Sequence, residues 1–446
     1  MKKKNSGIPF YFSRLFYIIM GCIIAAFALA FFFPQLMLIG KMATLFLCIA
    51  ALFDLLLVFG KKIPATAERI CTDRFSNGDD NPVTLKVHNH LGYAINLQLL
   101  DEVPVQFQLN NVGTQLKVPG NGTSSYLYML KPTERGVYNF GIINILFTGP
   151  LNMIVRHIRS GEEKDVATYP SYMQMRRFQL MAATNQLMEV GSRQLRKIGN
   201  SLEFEQIKEY VSGDDYRTVN WKASARRNTL MINNYMDERS QQVICIIDKG
   251  RTMKMPFEGM TLLDYAINAS LVLSNMVLTK QDKAGLITFG KKMGQTVMPD
   301  KKGSQLGLIL ESLYRQQTDF QDSDFESLYS NIRYKIKQRS LLILFTNFEN
   351  MYSLERQLPY LKKLANHHPL LVIFFENSEL SSFLNEKAHT IEDIYTHTIA
   401  TKFAFEKKQI VKELQKHGIM SLLTEPNKLT VNALNKYLEL KARQIV

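Results

Sequence analysis

Val243-Ile-Cys-Ile-Ile247, followed at once by Asp248-Lys-Gly-Arg-Thr-Met253, decides the fold class of this chain. Five consecutive apolar residues rich in β-branched side chains suit a strand buried on both faces, and such strands belong to parallel sheets covered by helices. An acidic residue at the C-terminal tip of that strand, with Gly250 and the Thr252 hydroxyl spaced behind it, marks the edge where an open α/β sheet builds its binding site. The pattern repeats outward. Residues 284–289, 341–345 and 370–375 are further short β-rich runs. Residues 262–278, 305–314, 353–366 and 403–417 carry apolar side chains at helical spacing. This alternation predicts a doubly wound parallel sheet over residues 241–446.

Upstream lies a polar, charged connector, residues 166–240, with the chain's sole tryptophan. Its centre reads Tyr210-Val-Ser-Gly-Asp-Asp-Tyr-Arg-Thr-Val-Asn-Trp-Lys-Ala-Ser-Ala-Arg226. The pattern predicts a short helix over 202–210, with Ser201 as N-cap and Glu203 and Glu205 in its first turn. Gly213-Asp214-Asp215 then turns the chain. Trp221 and Ala223 are expected to pack the segment onto the sheet. Arg217, Lys222, Arg226 and Arg227 lie close in sequence to Asp214 and Asp215. The expected arrangement is an ion-pair network, and a docking surface for a partner is the rival reading. Acid–base catalysis by the two aspartates is disfavoured, because neighbouring arginines hold both ionised.

Tyr210, Gly213, Asp214, Asp215, Arg217, Trp221, Ser224, Ala225 and Arg226 fall in order on the pattern Y-x-x-G-D-D-x-R-x-x-x-W-x-x-S-A-R. In this the chain resembles the DUF58 family, a domain of unknown function fused to a von Willebrand factor A (vWA)-like domain. Arg135-Gly-Val-Tyr-Asn-Phe-Gly141 and Gly149-Pro-Leu151 are also similar to that family, and the resemblance spans about 64–440. It implies a metal-ion-dependent adhesion site, in which hydroxyl and carboxylate oxygens form part of a hard cation's shell and a partner's carboxylate completes it. Asp248 takes the first position and Thr252 the third. Gly250 replaces the middle serine, Thr318 is similar to the second-loop threonine, and Asn347 stands where the final aspartate belongs. With a hydroxyl and a charge missing, Mg²⁺ binding is expected to be weak or absent. Family members are associated with MoxR-type AAA+ ATPases, so the resemblance implies an adaptor or scaffold for such an ATPase.

The N-terminal segment, residues 1–62, reads as a membrane anchor. Residues 15–33 carry no charge, and 36–59 are interrupted only by Lys41 and Asp54. Each run is long enough to cross about 30 Å of hydrocarbon. Pro34-Gln35 leaves room only for a tight helical hairpin. Lys2, Lys3, Lys4 and Arg14 precede it, and Lys61, Lys62 and Arg69 follow, which predicts a soluble region in the cytoplasm. A signal peptide is disfavoured by the length of the apolar run and the lack of a cleavage site. Asp54 is expected to serve anchoring rather than proton relay. Residues 64–165 alternate with period two at 83–88, 95–99 and 105–109, between Gly- and Asn-rich turns, and predict a small β-sandwich. His88 and His90 share a strand face without a third ligand nearby.

Composition closes several routes. The net charge is +14, but no arginine-rich run is interleaved with aromatics, so no nucleic-acid partner is expected. Cys22, Cys48, Cys71 and Cys245 have neither metal-ligand nor disulfide spacing. Gly285-Leu-Ile-Thr-Phe-Gly-Lys-Lys292 imitates a phosphate-binding loop, but Lys292 supplies no hydroxyl for Mg²⁺, so no nucleotide is expected. The eight histidines join no nucleophile motif. A hydrolase using Asp214 and Asp215, and an adhesion receptor of reversed topology, remain the alternative readings to a non-enzymatic adaptor.

Overall fold

The computed structural model describes residues 10–109, 112–176, 203–212, 214–236, 241–318, 320–376 and 391–443. The chain divides into two compact units, Met1–Tyr169 and Pro170–Val446.

The first unit begins with the short strand Phe10–Phe12, followed by two apolar helices, Arg14–Leu29 and Gln35–Phe59. The first is shorter than the uncharged run of residues 15–33, because the chain turns from Ala30. Ser13 caps it, accepting the Phe16 N–H at 3.3 Å. The second has 25 residues and a mean hydropathy of 2.5, long and apolar enough to cross a bilayer. Its outward faces carry Leu38, Phe46 and Leu56, the reverse of a helix covering a soluble core. A third helix, Leu262–Thr279, passes the same test but is 83% buried, as a core helix should be.

Asp54, set among apolar residues near the end of the second helix, is fully buried and accepts three backbone N–H groups from one loop. They are Leu151 at 3.1 Å, Met153 at 3.0 Å and Ile154 at 3.0 Å. Gly149 is required here, since a Cβ would run into this carboxylate. The Arg156 guanidinium donates to the Val58, Lys61 and Lys62 carbonyls and stacks on Phe59 at 4.6 Å. Helix end and β loop are therefore held together by groups that water would otherwise satisfy.

The strands of this unit form a five-stranded and two three-stranded sheets. Alternation was a reliable guide at Asn81–Asn89 and Ile95–Asp101, whose inward side chains Val83, Leu85, Val87, Leu97 and Leu99 share one core with Phe75, Phe140 and Phe147. The expected strand at 105–109 is instead a 3₁₀ turn, Val105–Phe107, with Val105 89% exposed. Pro104 before it supplies no ladder donor, so the apparent period has no sheet to join. The last strand of the unit, Lys164–Tyr169, runs past the boundary expected at 165. His88 and His90 do lie together, with ring centroids 4.4 Å apart. His90 is engaged by the Thr66 hydroxyl at 3.0 Å, and no metal-holding group of three His, Cys, Asp or Glu occurs among the described residues.

The second unit is built on a six-stranded sheet. Its order is Met293–Asp300, Lys283–Phe289, Gln242–Asp248, Leu341–Phe345, Leu370–Phe375, Met420–Thr424. All neighbours are parallel except the first pair. The central strand divides its side chains between two cores. Val243, Cys245 and Ile247 meet helices Leu262–Thr279, Gln305–Tyr314 and Leu429–Ala442. Ile244 and Ile246 meet Phe325–Lys335, Met351–His367 and Ile391–Lys416. Helices thus cover both faces, as the uninterrupted apolar strands require.

Two expectations about the connector are corrected. Residues 203–209 form a strand rather than a helix, Glu203–Glu209 pairing antiparallel with Met231–Met236. Cross-strand partners override the local capping pattern. Ser201 and Leu202 lie outside the described residues. Trp221 does not pack on the sheet: it is 74% exposed.

Candidate functional site

The central strand Gln242–Asp248 and its neighbour Leu341–Phe345 meet where the chain order reverses, with the next strand of the chain, Lys283–Phe289, on the far side. Open α/β sheets open a crevice at that point, beyond the strands' carboxyl ends. Register does the rest. Ile247 pairs with Phe345, so the residues that follow, Asp248 and Thr346, leave the sheet side by side.

Asp248 is buried, with one carboxylate oxygen accepting the Gly250 N–H at 2.8 Å and the Ser323 hydroxyl. The other oxygen accepts the Thr346 hydroxyl at 2.6 Å. Burial pushes its carboxyl above the ordinary value, while the Ser323 and Thr346 hydroxyls and the Gly250 N–H pull the other way. No cation pairs with it among the described residues. Gly250 has its own reason: a Cβ there would collide with the Ser323 hydroxyl and lie 3.1 Å from the carboxylate.

A cavity of about 350 Å³ opens over this carboxylate. Thr252 and Asn347 line it with Asp248, so three of the four expected metal-site residues converge. Thr318 is not among its lining residues, and Ser323 stands there instead. The rim is charged. Arg251 lies 3.7 Å from Asp322 and 3.8 Å from Glu349, and Arg356 lies 3.1 Å from Asp322. Asn347 is already committed, its amide oxygen accepting the Lys407 ammonium at 2.8 Å. That ammonium also donates to the Phe348 carbonyl, and burial lowers its pKa to about 8.

These donors fit a resident hard cation poorly. The floor offers one carboxylate with both oxygens engaged and an amide turned to an ammonium, and the rim carboxylates Asp322 and Glu349 face Arg251 and Arg356, where such a cation takes six or more oxygens. Ser323, Thr346 and Lys407 escaped sequence reasoning. Thr346 alone had a legible signal, as the residue after a strand neighbouring Asp248.

The signature residues divide into framework and surface. Asp214 accepts the Val211 N–H at 3.0 Å and the Lys208 ammonium at 3.1 Å, which together hold its carboxyl below the ordinary range. Asp215 caps the turn Tyr216–Thr218, accepting the Arg217 N–H at 3.0 Å. Asn220 caps the helix Trp221–Arg227, and the Ser224 hydroxyl ties that helix to the ribbon by accepting the Met231 N–H at 2.8 Å. Tyr210 packs against Tyr216 in a tilted pair with centroids 5.2 Å apart. Gly213 lies outside the described residues. The expected arginine–aspartate network is not formed: Arg217, Lys222, Arg226 and Arg227 make no ion pair among the described residues and point to solvent. Asp214 offers no free oxygen, since the Lys208 ammonium takes one and the Val211 N–H the other, while Asp215 turns one oxygen to the Arg217 N–H.

Comparisons with known proteins agree with the signature. Residues 206–381 match the family model described as protein of unknown function DUF58. The uncharacterized protein YeaD of Bacillus subtilis (strain 168) is 25% identical over 178 residues, 40% of this chain and 42% of that protein. The match therefore spans about two fifths of that relative. Among solved structures, the CARDB domain of a Pyrococcus furiosus protein covers 23% of this chain and 86% of its own at 13% identity, with a TM-score of 0.18. Proximal thread matrix protein 1 from the mussel byssus covers 46% of this chain and 47% of its own at 10% identity, with a TM-score of 0.26. Neither structural likeness bears on the fold or the function.

Proposed function

We propose that this chain is a membrane-tethered, non-enzymatic adaptor whose second unit is a vWA-like docking domain. Its partner is a MoxR-type AAA+ ATPase, in the assembly or maturation of other proteins. The Asp248 crevice carries this reading. A buried carboxylate without a cation among the described residues, held by hydroxyls at the floor of an open cavity, costs stability and offers a fixed acceptor to whatever docks. Catalysis finds no comparable support, because Asp214 and Asp215 are spent on capping and turn formation. Mg²⁺, if it enters at all, arrives with a partner that brings further carboxylate oxygens. In this reading the helices Arg14–Leu29 and Gln35–Phe59 serve as the anchor, and the basic flanks favour a soluble region in the cytoplasm.

Two experiments test this. Full-length chain in detergent should capture a MoxR-type ATPase from the same genome, and the folded Asp248→Asn variant should not. Capture that survives the substitution removes the crevice from the interface, and no capture by the wild type removes the ATPase. Protease added to intact cells should leave residues 64–446 uncut, and cleavage without lysis would reverse the topology.

A further inference from the structure

Beside the Asp248 cavity lies a second, apolar one of about 460 Å³. Met255, Phe257, Phe375 and Phe403 give it an apolar floor. Its charged lining is Glu349, Glu376 and Lys407, and the Lys407 ammonium is turned inward onto Asn347 and Phe348. Two more glutamates adjoin its lining residues in sequence. Glu258 follows Phe257 and is exposed, while Glu425 precedes Pro426 and pairs with Lys428 at 2.9 Å. Glu376 makes no ion pair among the described residues, while Glu258 accepts the Asn427 amide N–H at 2.8 Å and Glu349 faces Arg251 at 3.8 Å. The groove asks for a large apolar side chain accompanied by cations.

The chain carries such a group. On the helix Trp221–Arg227, Trp221 is 74% and nearby Tyr216 70% exposed. Lys222 and Arg226 stand four residues apart on one helical face, with Arg227 next to them and Arg217 one turn before. Trp, Tyr and Arg are the residue types that dominate interface energetics, and they do so by seating in desolvated pockets. Two surfaces of opposite charge on every copy define a heterologous contact, which repeats from copy to copy.

We propose that copies of this chain associate head to tail, the Trp221 helix of one copy seated in the Glu376 groove of the next, with its cations facing the glutamate rim. The contact uses the groove rather than the Asp248 cavity and needs no ATPase, so it can be tested without one.

Trp221 is the sole tryptophan, so the emission comes from this one side chain. Full-length chain in detergent micelles is followed by sedimentation and tryptophan fluorescence over a concentration series. The wild type should form oligomers as concentration rises, with the emission moving to shorter wavelength in step. Arg226→Glu and Glu376→Lys, each checked for folding by circular dichroism, should each weaken association by at least about tenfold. Mixing the two variants should restore assembly, since each then meets an opposite charge. A wild type that stays monomeric throughout overturns the proposal, as does assembly by Glu376→Lys at wild-type strength. An emission shift that depends on anionic lipid and ignores Glu376→Lys would assign the Trp221 surface to the bilayer instead, and equally overturns it.

Discussion

Asp101 and Asp248 occupy the same kind of place in the two units of this protein. Each is the last residue of a strand, Ile95–Asp101 and Gln242–Asp248, and each is buried. Their surroundings differ. Asp101 is gripped by the Arg69 guanidinium through two nitrogens and receives the Tyr128 hydroxyl, while Arg69 itself stacks on Phe140 at 4.7 Å. Asp248 receives two hydroxyls and an N–H, has no cation paired with it among the described residues, and faces a cavity. The first carboxylate is closed off and serves the fold. The second is held in shape with its charge uncompensated, which the fold alone does not need.

The comparison breaks most visibly at Asp101. Asp101→Ala leaves a buried guanidinium without its partner and should cost about 3–5 kcal/mol, read as a drop in unfolding free energy by denaturant titration. A loss under about 1 kcal/mol would mean that the pair behaves like a surface pair and that the contrast is false. Asp54→Ala comes next. It leaves the Leu151, Met153 and Ile154 N–H groups without their acceptor, at about 1–3 kcal/mol for each one that water cannot reach. Hydrogen exchange of the 149–154 amides in micelles should accelerate, while exchange in the Gln242–Asp248 strand stays unchanged.

Asp248→Asn should change stability by less than about 1 kcal/mol, because the amide can still accept from Ser323 and Gly250 and donate to Thr346. The sign depends on pH. Burial raises this carboxyl above its ordinary value of 3.8, so the contribution of Asp248 is fully present in acid and is lost as pH rises through the folded value. Thermal melts should therefore show the Asp248→Asn variant gaining on the wild type from acid toward neutral pH. Smallest of all, Trp221→Ala should move monomer stability by no more than about 0.5 kcal/mol, since an exposed side chain holds no core. A larger loss would return Trp221 to the packing role its residue type suggests. Calorimetry with Mg²⁺ on the full chain should show weak binding or none. Tight binding abolished by Asp248→Ala would mean that Asp248, Thr252 and Asn347 rearrange into a shell they do not form here.

The sheet was legible because four of its strands are short apolar runs, broken only at Thr288. Residues 243–247, 284–289, 341–345 and 370–375 could hardly be anything else. Met293–Asp300 and Met420–Thr424 escaped because edge strands tolerate polar residues, and the first even admits Pro299. The ribbon Glu203–Glu209 was hidden by glutamates at helix-start positions. Its pairing with Met231–Met236 joins residues more than twenty apart, which no local rule weighs. At the crevice, Asp248 and Asn347 were readable as strand ends. Ser323 was not, because it lies in the segment between the helices Gln305–Tyr314 and Phe325–Lys335, far in sequence from Asp248. Trp221 misled for the opposite reason: tryptophans are mostly covered, and one left in solvent is visible only once the fold is known.

The claim that Asp248 is kept for docking rather than for folding is tested most directly by titrating a MoxR-type ATPase onto immobilised full-length chain, wild type and Asp248→Asn, with melting temperatures measured on the same samples. The account predicts melting temperatures that nearly coincide and affinity reduced by at least about tenfold, roughly 1.4 kcal/mol. Equal affinities at equal melting temperatures would contradict it.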